Sequence, residues 1–341
     1  MDSLLNNFVD TFRSKRDLAI DDADRLLDAM ITSSDEALLA SLFEAWNGKG
    51  ISEDEIYEIA RVMRERCTKI TTRHERFVDV VGTGGSKVKT FNISTAAALV
   101  VAGAGVAVAK HGNKAATSST GSADVLAALG VEPAVDAETA ARCLDQVGIC
   151  FMFAPKFHRL SPTLAKVRRG LGFPTIFNCV GPLCNPASAP HQLIGVWDKE
   201  LVPKMANALS RLGTKKSWVV HGSDGLDEIS LSAPTFVAEV ENGVVNEFEI
   251  LPGDYNMPRD QNLSRVRVTN AAESAAIIQD VLAADRISQP EENVVLLNAA
   301  AAIYLAGGAG SFREGLTRAG NCINNCKGLA KLWELKEATR K

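Results

Sequence analysis

No acidic residue occurs between Asp79 and Asp124, a gap of 44 positions in a chain of 341 that carries 41 Asp and Glu and a net charge of -4. Other absences bound the function. No run of about 18 apolar residues occurs, so no membrane span is expected. The opening MDSLLNNFVDTFRSKRD has no basic-then-apolar pattern, so export is not expected. Seven cysteines, an odd number scattered without a Cys-x-x-Cys pair, fit a reducing cytosol. Cys322 and Cys326, four apart on an expected helix with no nearby histidine, read as core thiols. There is no GxxxxGK(S/T) P-loop and no GxGxxG fingerprint. Nor is there a Ser-His-Asp or Cys-His arrangement, internal repeat or low-complexity segment. A pI near 5.8 argues against bulk affinity for nucleic acid.

What fills the acid-free window is positive charge and small polar residues. Lys87, Lys89, Lys110, Lys114 and His111 stand there among Gly, Ser, Thr and Asn. A polyphosphate needs this combination of cations, close backbone approach and N–H or hydroxyl donors. Phe77–Val81 reads as a buried strand ending on glycine. Gly82-Thr83-Gly84-Gly85-Ser86 then reads as a loop able to present successive N–H groups, an anion-binding nest. Asn92 or Ser94 is placed to cap a helix over 95–101, whose N-terminus would favour the same anion. A second strand, Val106–Lys110, should deliver Lys-His-Gly-Asn to the same sheet edge. A Gly-rich turn in an ordinary α/β domain is the plain alternative.

Around this window the pattern is helical first, then α/β. Apolar spacing predicts helices around Leu4–Phe12, Leu18–Met30, Asp35–Trp46 and Ser52–Cys67. Gly48-Lys49-Gly50 separates the last two, and Ser52-x-x-Glu55 is a capping box. Residues 70–76 read as a linker with His74 in solvent. Helices are expected over 122–129 and 138–147, and a strand over 149–153. A further helix ends at Arg168-Arg169. Strands follow at 192–196, 217–221, 236–240 and 245–250, and helices at 271–285, 291–306 and 324–338. Alternating strands and helices indicate a largely parallel sheet covered by helices. The Glu241-Asn242-Gly243 turn predicts a hairpin and so one antiparallel edge. His221 is followed at once by Gly-Ser-Asp224-Gly-Leu-Asp227-Glu228, which sets three carboxylates at the strand end. A solvated acidic turn would explain them. So would a hard cation such as Mg²⁺, which takes one or two carboxylates and completes its shell with phosphate oxygens.

GTGGSKVKTFNIST, KHGNKAATSSTGSADVLAALG, FMFAPKFH, VRRGLGFPTIFNCVGPLCNPA and HGSDGLDEIS resemble, in order and spacing, the successive motifs of the anthranilate phosphoribosyltransferase family. The resemblance covers nearly the whole chain. It implies a small helical domain over 1–72, joined by part of about 161–190, and an α/β catalytic domain over 73–341, in the manner of nucleoside phosphorylases. The helical domain would form a homodimer and close over the site, with Gly181–Pro186 as a rigid turn in the hinge. The implied reaction is attack of the anthranilate amine on C1 of phosphoribosyl pyrophosphate, a step of tryptophan biosynthesis in the cytoplasm. No protein nucleophile is needed, so positioning and charge stabilisation should carry catalysis.

Residue by residue, the resemblance assigns phosphoribosyl pyrophosphate to Gly82, Thr83, Gly84, Gly85, Ser86, Thr90, Asn92, Ile93, Ser94 and Thr95. From the second strand it adds Lys110, His111, Gly112, Asn113, Lys114, Ala115, Ala116, Thr117 and Ser118, and beyond them Ser122. Anthranilate falls to Gly82, Asn113 and Arg168, with His111 and His158 as weaker candidates. Mg²⁺, as two ions, falls to Ser94, Asp227 and Glu228, with Asp224 in support. Two positions depart from the family: Ser86 stands where GTGGD has its acid, and Lys114 where KHGNR has arginine. A pyrimidine nucleoside phosphorylase shares the fold and a KHG segment, but its Lys-His-Ser-Thr-Gly-Gly loop is replaced here by Val-Val-Gly-Thr-Gly-Gly. A nucleic-acid-binding relative is the third reading. It would need a broad basic surface, which this acidic chain does not offer, so no nucleic-acid partner is expected.

Overall fold

The computed structural model describes residues 2–86, 88–114, 120–258, 263–285 and 289–340. Four helices come first: α1 (Asp2–Arg13), α2 (Ala23–Thr32), α3 (Glu36–Lys49) and α4 (Glu53–Arg66). Leu5, Phe8, Val9 and Phe12 form the inner stripe of α1, and Phe12 stacks on Trp46 of α3 with ring centroids 4.6 Å apart. The Ser52–Glu55 capping box is present. Glu55 does more than cap, because its carboxylate is buried. It accepts from Leu18 N (3.0 Å), Trp46 Nε1 (2.9 Å) and Lys49 Nζ (3.0 Å), so the charge is paired and hydrogen-bonded.

The linker leads to β1 (Phe77–Gly82), α5 (Ile93–Gly103), β2 (Ala107–Gly112), α6 (Ser122–Ala128), α7 (Ala137–Val147) and β3 (Ile149–Phe153). Next come α8 (Ala154–Phe157), α9 (Pro162–Gly170), α10 (Ile176–Leu183), β4 (His191–Gly195), α11 (Leu201–Arg211) and β5 (Lys216–Gly222). The hairpin β6 (Thr235–Glu241) and β7 (Val244–Ile250) follows, then α12 (Ala271–Leu282), α13 (Pro290–Leu305), α14 (Phe312–Asn324) and α15 (Lys327–Thr339). The sheet runs β3-β2-β1-β4-β5-β6-β7, with parallel pairing from β3 to β5. The antiparallel edge is there: Asn242 and Gly243 both take positive φ (50° and 83°) in the turn between β6 and β7.

Two apolar cores flank the sheet. One holds α5, α13 and the C-terminal helices against its face, and α13 is buried on every side. In the other, Val81, Ile194, Val196 and Val219 of the sheet join α10 and α11 to the four N-terminal helices and α9.

Several local expectations are corrected. Gly181–Leu183 is not a turn but the last turn of α10, with Pro182 inside the helix near its end. Pro182 has no N–H to donate to the carbonyl four residues earlier, and the helix ends one residue beyond it. The helix expected over 324–338 is α15, which starts only at Lys327, and a helix not expected, α14, precedes it; the two are broken at Cys326 with φ 52°. Cys322 is therefore a core thiol, whereas Cys326 is half-buried at the break. His74 is not in solvent: it is half-buried, with Nε2 3.1 Å from Leu144 O at the end of α7. Lys331 Nζ donates to Val147 O (2.8 Å) on the same end, and Arg318 donates to Ala104 O (3.1 Å) beyond α5. Basic residues thus satisfy the carbonyl ends of helices at the edge of the sheet remote from Gly82.

Candidate active site

The parallel strands β1, β2, β4 and β5 all end on glycine, at Gly82, Gly112, Gly195 and Gly222. Each ending opens space above the carboxyl edge of the sheet, where α/β folds bind ligands. A cavity of about 230 Å³ lies there.

Its first wall is the Gly82–Ser86 loop. Thr83 donates both its N–H (2.9 Å) and its hydroxyl (3.2 Å) to Gly195 O, and its own carbonyl accepts from Asn178 Nδ2 (3.0 Å). Gly84 takes φ 67°, and a Cβ on Gly85 would stand 2.8 Å from the Trp197 ring. Ser86 Oγ donates to Gly225 O (3.0 Å) and accepts from Val88 N (3.1 Å). The loop is therefore fixed from α10, from β4 and from the acidic loop before any ligand arrives.

The second wall is the start of α5. Asn92 occupies the N-cap position, but its side chain makes no cap bond. Its Oδ1 accepts from Ser274 Oγ (2.8 Å) instead, so the expected side-chain capping by Asn92 is corrected. Ser94 N–H points at the Glu228 carboxylate, placing an acid at the positive end of the helix dipole. Below lies Lys110, nearly fully buried, whose ammonium donates to Val80 O and to Ser94 Oγ (3.3 Å). Burial pushes its pKa down, opposed by Asp79 and Glu228. Asp79 is also buried, accepting from His111 N (3.1 Å) and Asn185 Nδ2 (2.8 Å), and burial raises its pKa to about 6.

The third wall is the acidic loop after β5. A Cβ on Gly195 would fall 1.6 Å from Asp227 O, so glycine is what lets this loop cross the end of β4. Asn298 of α13 clamps it from behind, accepting from Ile229 N (3.0 Å) and donating to Ile229 O (3.1 Å). Asp227 and Glu228 both line the cavity with raised pKa values. Burial is the larger cause for each, and the Asp227 charge adds to it for Glu228. Asp224 does not join them, because its carboxylate is engaged by Ser230 Oγ (2.5 Å) and Leu226 N (3.3 Å). Among the described residues no three His, Cys, Asp or Glu side chains converge as a metal cluster. Asp227 and Glu228 nevertheless fit a hard divalent cation: an adjacent carboxylate pair whose ionisation burial and repulsion oppose is relieved by positive charge.

The far wall comes from α9 and α10. Arg168 lies over the Phe177 ring at 4.7 Å, and its Nε is buried without an acceptor. Burial lowers its pKa to about 10, which leaves it cationic at neutral pH. His111 Nδ1 is 3.1 Å from Gly181 O, and its Nε2 has no partner. Burial, with smaller effects of His158 and Lys110, depresses the His111 pKa to about 3, so the ring is neutral.

Of the residues singled out in the sequence, Gly82, Thr83, Gly84, Ser86, Thr90, Asn92, Ile93, Ser94, Lys110, His111, Gly112, Asn113, Lys114, Ser122, Arg168, Asp227 and Glu228 line this one cavity. Gly85, Thr95 and His158 do not: Gly85 packs on Trp197, Thr95 is buried inside α5, and His158 lies behind His111 with rings 5.1 Å apart. Ala115, Ala116, Thr117 and Ser118 lie outside the described residues. Sequence reading gave no role to Lys89, Phe91, Thr120, Phe177 or Asn178, which also form the wall. Lys89 stood in the acid-free window. Asn178 carried no signal, because its capping box with Thr175 uses asparagine in place of the usual Glu or Gln.

Comparison with known proteins agrees with this geometry. The family model described as "Glycosyl transferase family, a/b domain" matches residues 74–329. The anthranilate phosphoribosyltransferase of Moorella thermoacetica is 46% identical over 296 residues, 87% of this chain and 86% of its own. That of Symbiobacterium thermophilum is 44% identical over 327 residues, 96% and 95% of the two chains. Among solved structures, anthranilate phosphoribosyltransferase from Thermus thermophilus superposes with a TM-score of 0.89 at 34% identity, covering 98% of this chain and 99% of its own. The Saccharomyces cerevisiae enzyme in complex with PRPP and Mg gives 0.89 at 26% identity, covering 99% and 98%. Gathered motifs, a shared sheet topology and identity over most of the length make one statement: this chain belongs to the anthranilate phosphoribosyltransferase family.

Proposed function

We propose that the protein transfers the phosphoribosyl group of phosphoribosyl pyrophosphate to the amine of anthranilate, releasing pyrophosphate and N-(5-phosphoribosyl)anthranilate. One observation carries the reading. A loop of backbone donors, a helix N-terminus and a carboxylate pair share one cavity with a half-buried arginine whose Nε is buried without an acceptor. The first three suit a metal-bound diphosphate, and the arginine suits a planar aromatic carboxylate.

The residues then divide the work. Gly82–Ser86, the start of α5 and the Lys110–Asn113 turn hold the diphosphate and ribose phosphate. Arg168, over Phe177, holds the anthranilate carboxylate beside an apolar surface. Neutral His111 offers a ring face rather than a competing charge. The aromatic amine is unprotonated at neutral pH, so it attacks C1 without a protein base. The C–N bond forms as the C1–O bond to pyrophosphate breaks, and the proton of the new ammonium passes to solvent. Ser94, Asp227 and Glu228 would hold Mg²⁺, as two ions, which neutralises charge on the departing pyrophosphate when bound.

We also assign residues 1–72, with part of 161–190, to a helical unit that forms the contact of a homodimer and closes over the cavity. Supporting this, α1–α4 share their core with α9 and α10, and those two helices carry Arg168 and Phe177. Movement of the unit would carry the aromatic-acid wall with it and exclude water. The test follows anthranilate fluorescence on adding protein, phosphoribosyl pyrophosphate and Mg²⁺, with a parallel run in excess chelator. Loss of signal that needs Mg²⁺ and disappears in Asp227→Ala is the expected result. A signal that stays constant at saturating substrates would sink the proposal.

A further inference from the structure

Lys89 lies within the GTGGSKVKTFNIST stretch with no contact assigned to it above, yet it stands at the junction of the two halves of the site. Its Nζ donates to Ser86 O (3.1 Å), and Ser86 Oγ in turn donates to Gly225 O (3.0 Å) in the acidic loop. Its backbone is anchored from the other side: Val268 N donates to Lys89 O (3.2 Å), Phe91 N donates to Val266 O (2.8 Å), and Thr90 bridges Arg267. The side chain is half-buried in the cavity wall.

The carboxylate pair makes the position meaningful. Both lysines stand in the wall of the cavity that Asp227 and Glu228 line, and their charge favours the ionised acids: Lys110 acts on Glu228, and Lys89, after His221, on Asp227. The two lysines are held differently. Lys110 is nearly fully buried and tied to Val80 O and Ser94 Oγ under the sheet edge. Lys89 reaches in from a loop and is only half-buried. An ammonium is a point charge with three donors, and a phosphate oxygen is a stronger acceptor than the Ser86 carbonyl.

We propose that Lys89 is a further substrate-binding residue, whose ammonium contacts the diphosphate of phosphoribosyl pyrophosphate between the Gly82–Ser86 loop and the acidic loop. The proposal rests on the function inferred above. In this chain Ser86 supplies a carbonyl and a hydroxyl where the family motif has an acid. Position 86 therefore brings no carboxylate to compete with the diphosphate for the Lys89 ammonium.

Inorganic pyrophosphate tests this without turnover. It is titrated calorimetrically, with and without Mg²⁺, into wild type, Lys89→Met and Lys89→Arg at low and raised salt. Loss of a charge-assisted contact should weaken pyrophosphate in Lys89→Met by about tenfold or more and reduce its salt dependence. Lys89→Arg should keep most of the affinity. In the steady state the KM for phosphoribosyl pyrophosphate should rise by about tenfold in Lys89→Met, with little change in kcat or in the KM for anthranilate. If wild type binds pyrophosphate and Lys89→Met binds it equally well, the role of Lys89 falls and the reaction stands. Equal loss in Lys89→Arg would also overturn it, since the charge would then not be what matters. No binding to wild type in either condition would overturn both.

Discussion

Arg168 shows how a single residue is given its task by what it lacks. Half-buried over Phe177 with a buried Nε that has no acceptor, it bears a cost of desolvation that the ring face only partly offsets. A bound carboxylate would offset that cost. Arg168→Ala should raise the KM for anthranilate by about tenfold or more and leave the KM for phosphoribosyl pyrophosphate nearly unchanged, as steady-state kinetics would show. The pair His111 and His158 makes a different point. Burial depresses their pKa values to about 3 and about 4, below the 6.5 of an ordinary histidine. The unfolded chain therefore binds more protons, and these residues cost stability progressively as pH falls from about 6.5 towards 4. Asp79 acts in the opposite sense, because its pKa is raised from 3.8 to about 6 and its contribution weakens as pH rises through that range. Urea unfolding at pH 7 and pH 5 should show a smaller acid loss in His158→Asn than in wild type. An equal loss would refute the buried, neutral ring. At this scale the sequence offered the right residue types, and it could not say that His158 lies behind His111 or that Asp224 is taken up by Ser230.

Elements matter through where they end. The Gly82–Ser86 loop is useful because α10, β4 and the acidic loop all hold it, and Gly195 is the closest of these contacts. Gly195→Ala places a Cβ 1.6 Å from Asp227 O, so the acidic loop must move. We expect activity to fall by more than about a hundredfold, together with Mg²⁺ dependence displaced to higher concentration. A variant with wild-type activity and Mg²⁺ response would show that the loop does not need this crossing. Asn178→Ala removes the hydrogen bond to Thr83 O and the one its Oδ1 accepts from Thr175 N in the α10 capping box, and should lower stability by about 2 kcal/mol in a denaturant titration. Most of these elements were legible: strands of β-branched residues ending on glycine, the Ser52–Glu55 box and the Asn242-Gly243 hairpin turn all declared themselves. The break between α14 and α15 did not, because Cys326 adopts a left-handed backbone that no local residue preference announces.

At the scale of the whole molecule, one of the two apolar cores joins the N-terminal helices to the sheet through α10 and α11, so the proposed closure would be a movement of packed helices about α10. Sedimentation equilibrium of the intact chain should give a dimer, and a monomer at micromolar concentration would remove that part of the proposal. None of the described helices is long and apolar enough to cross a membrane.

Residue order alone supplied the ingredients of a site for a metal-bound polyphosphate. An acid-free basic window follows the first two strands and a separate acidic turn follows a later one, and charge together with the right-handed strand-helix-strand connection points both at one edge of the sheet without coordinates. Which of these groups meet was settled only by the folded chain. Ser86 of the basic window meets Gly225 of the acidic turn, and Asp224 turns away to Ser230. The reason is physical: contact between residues some 140 positions apart depends on strand order and on how closely backbones cross, here at Gly195, and neither is encoded in local propensity.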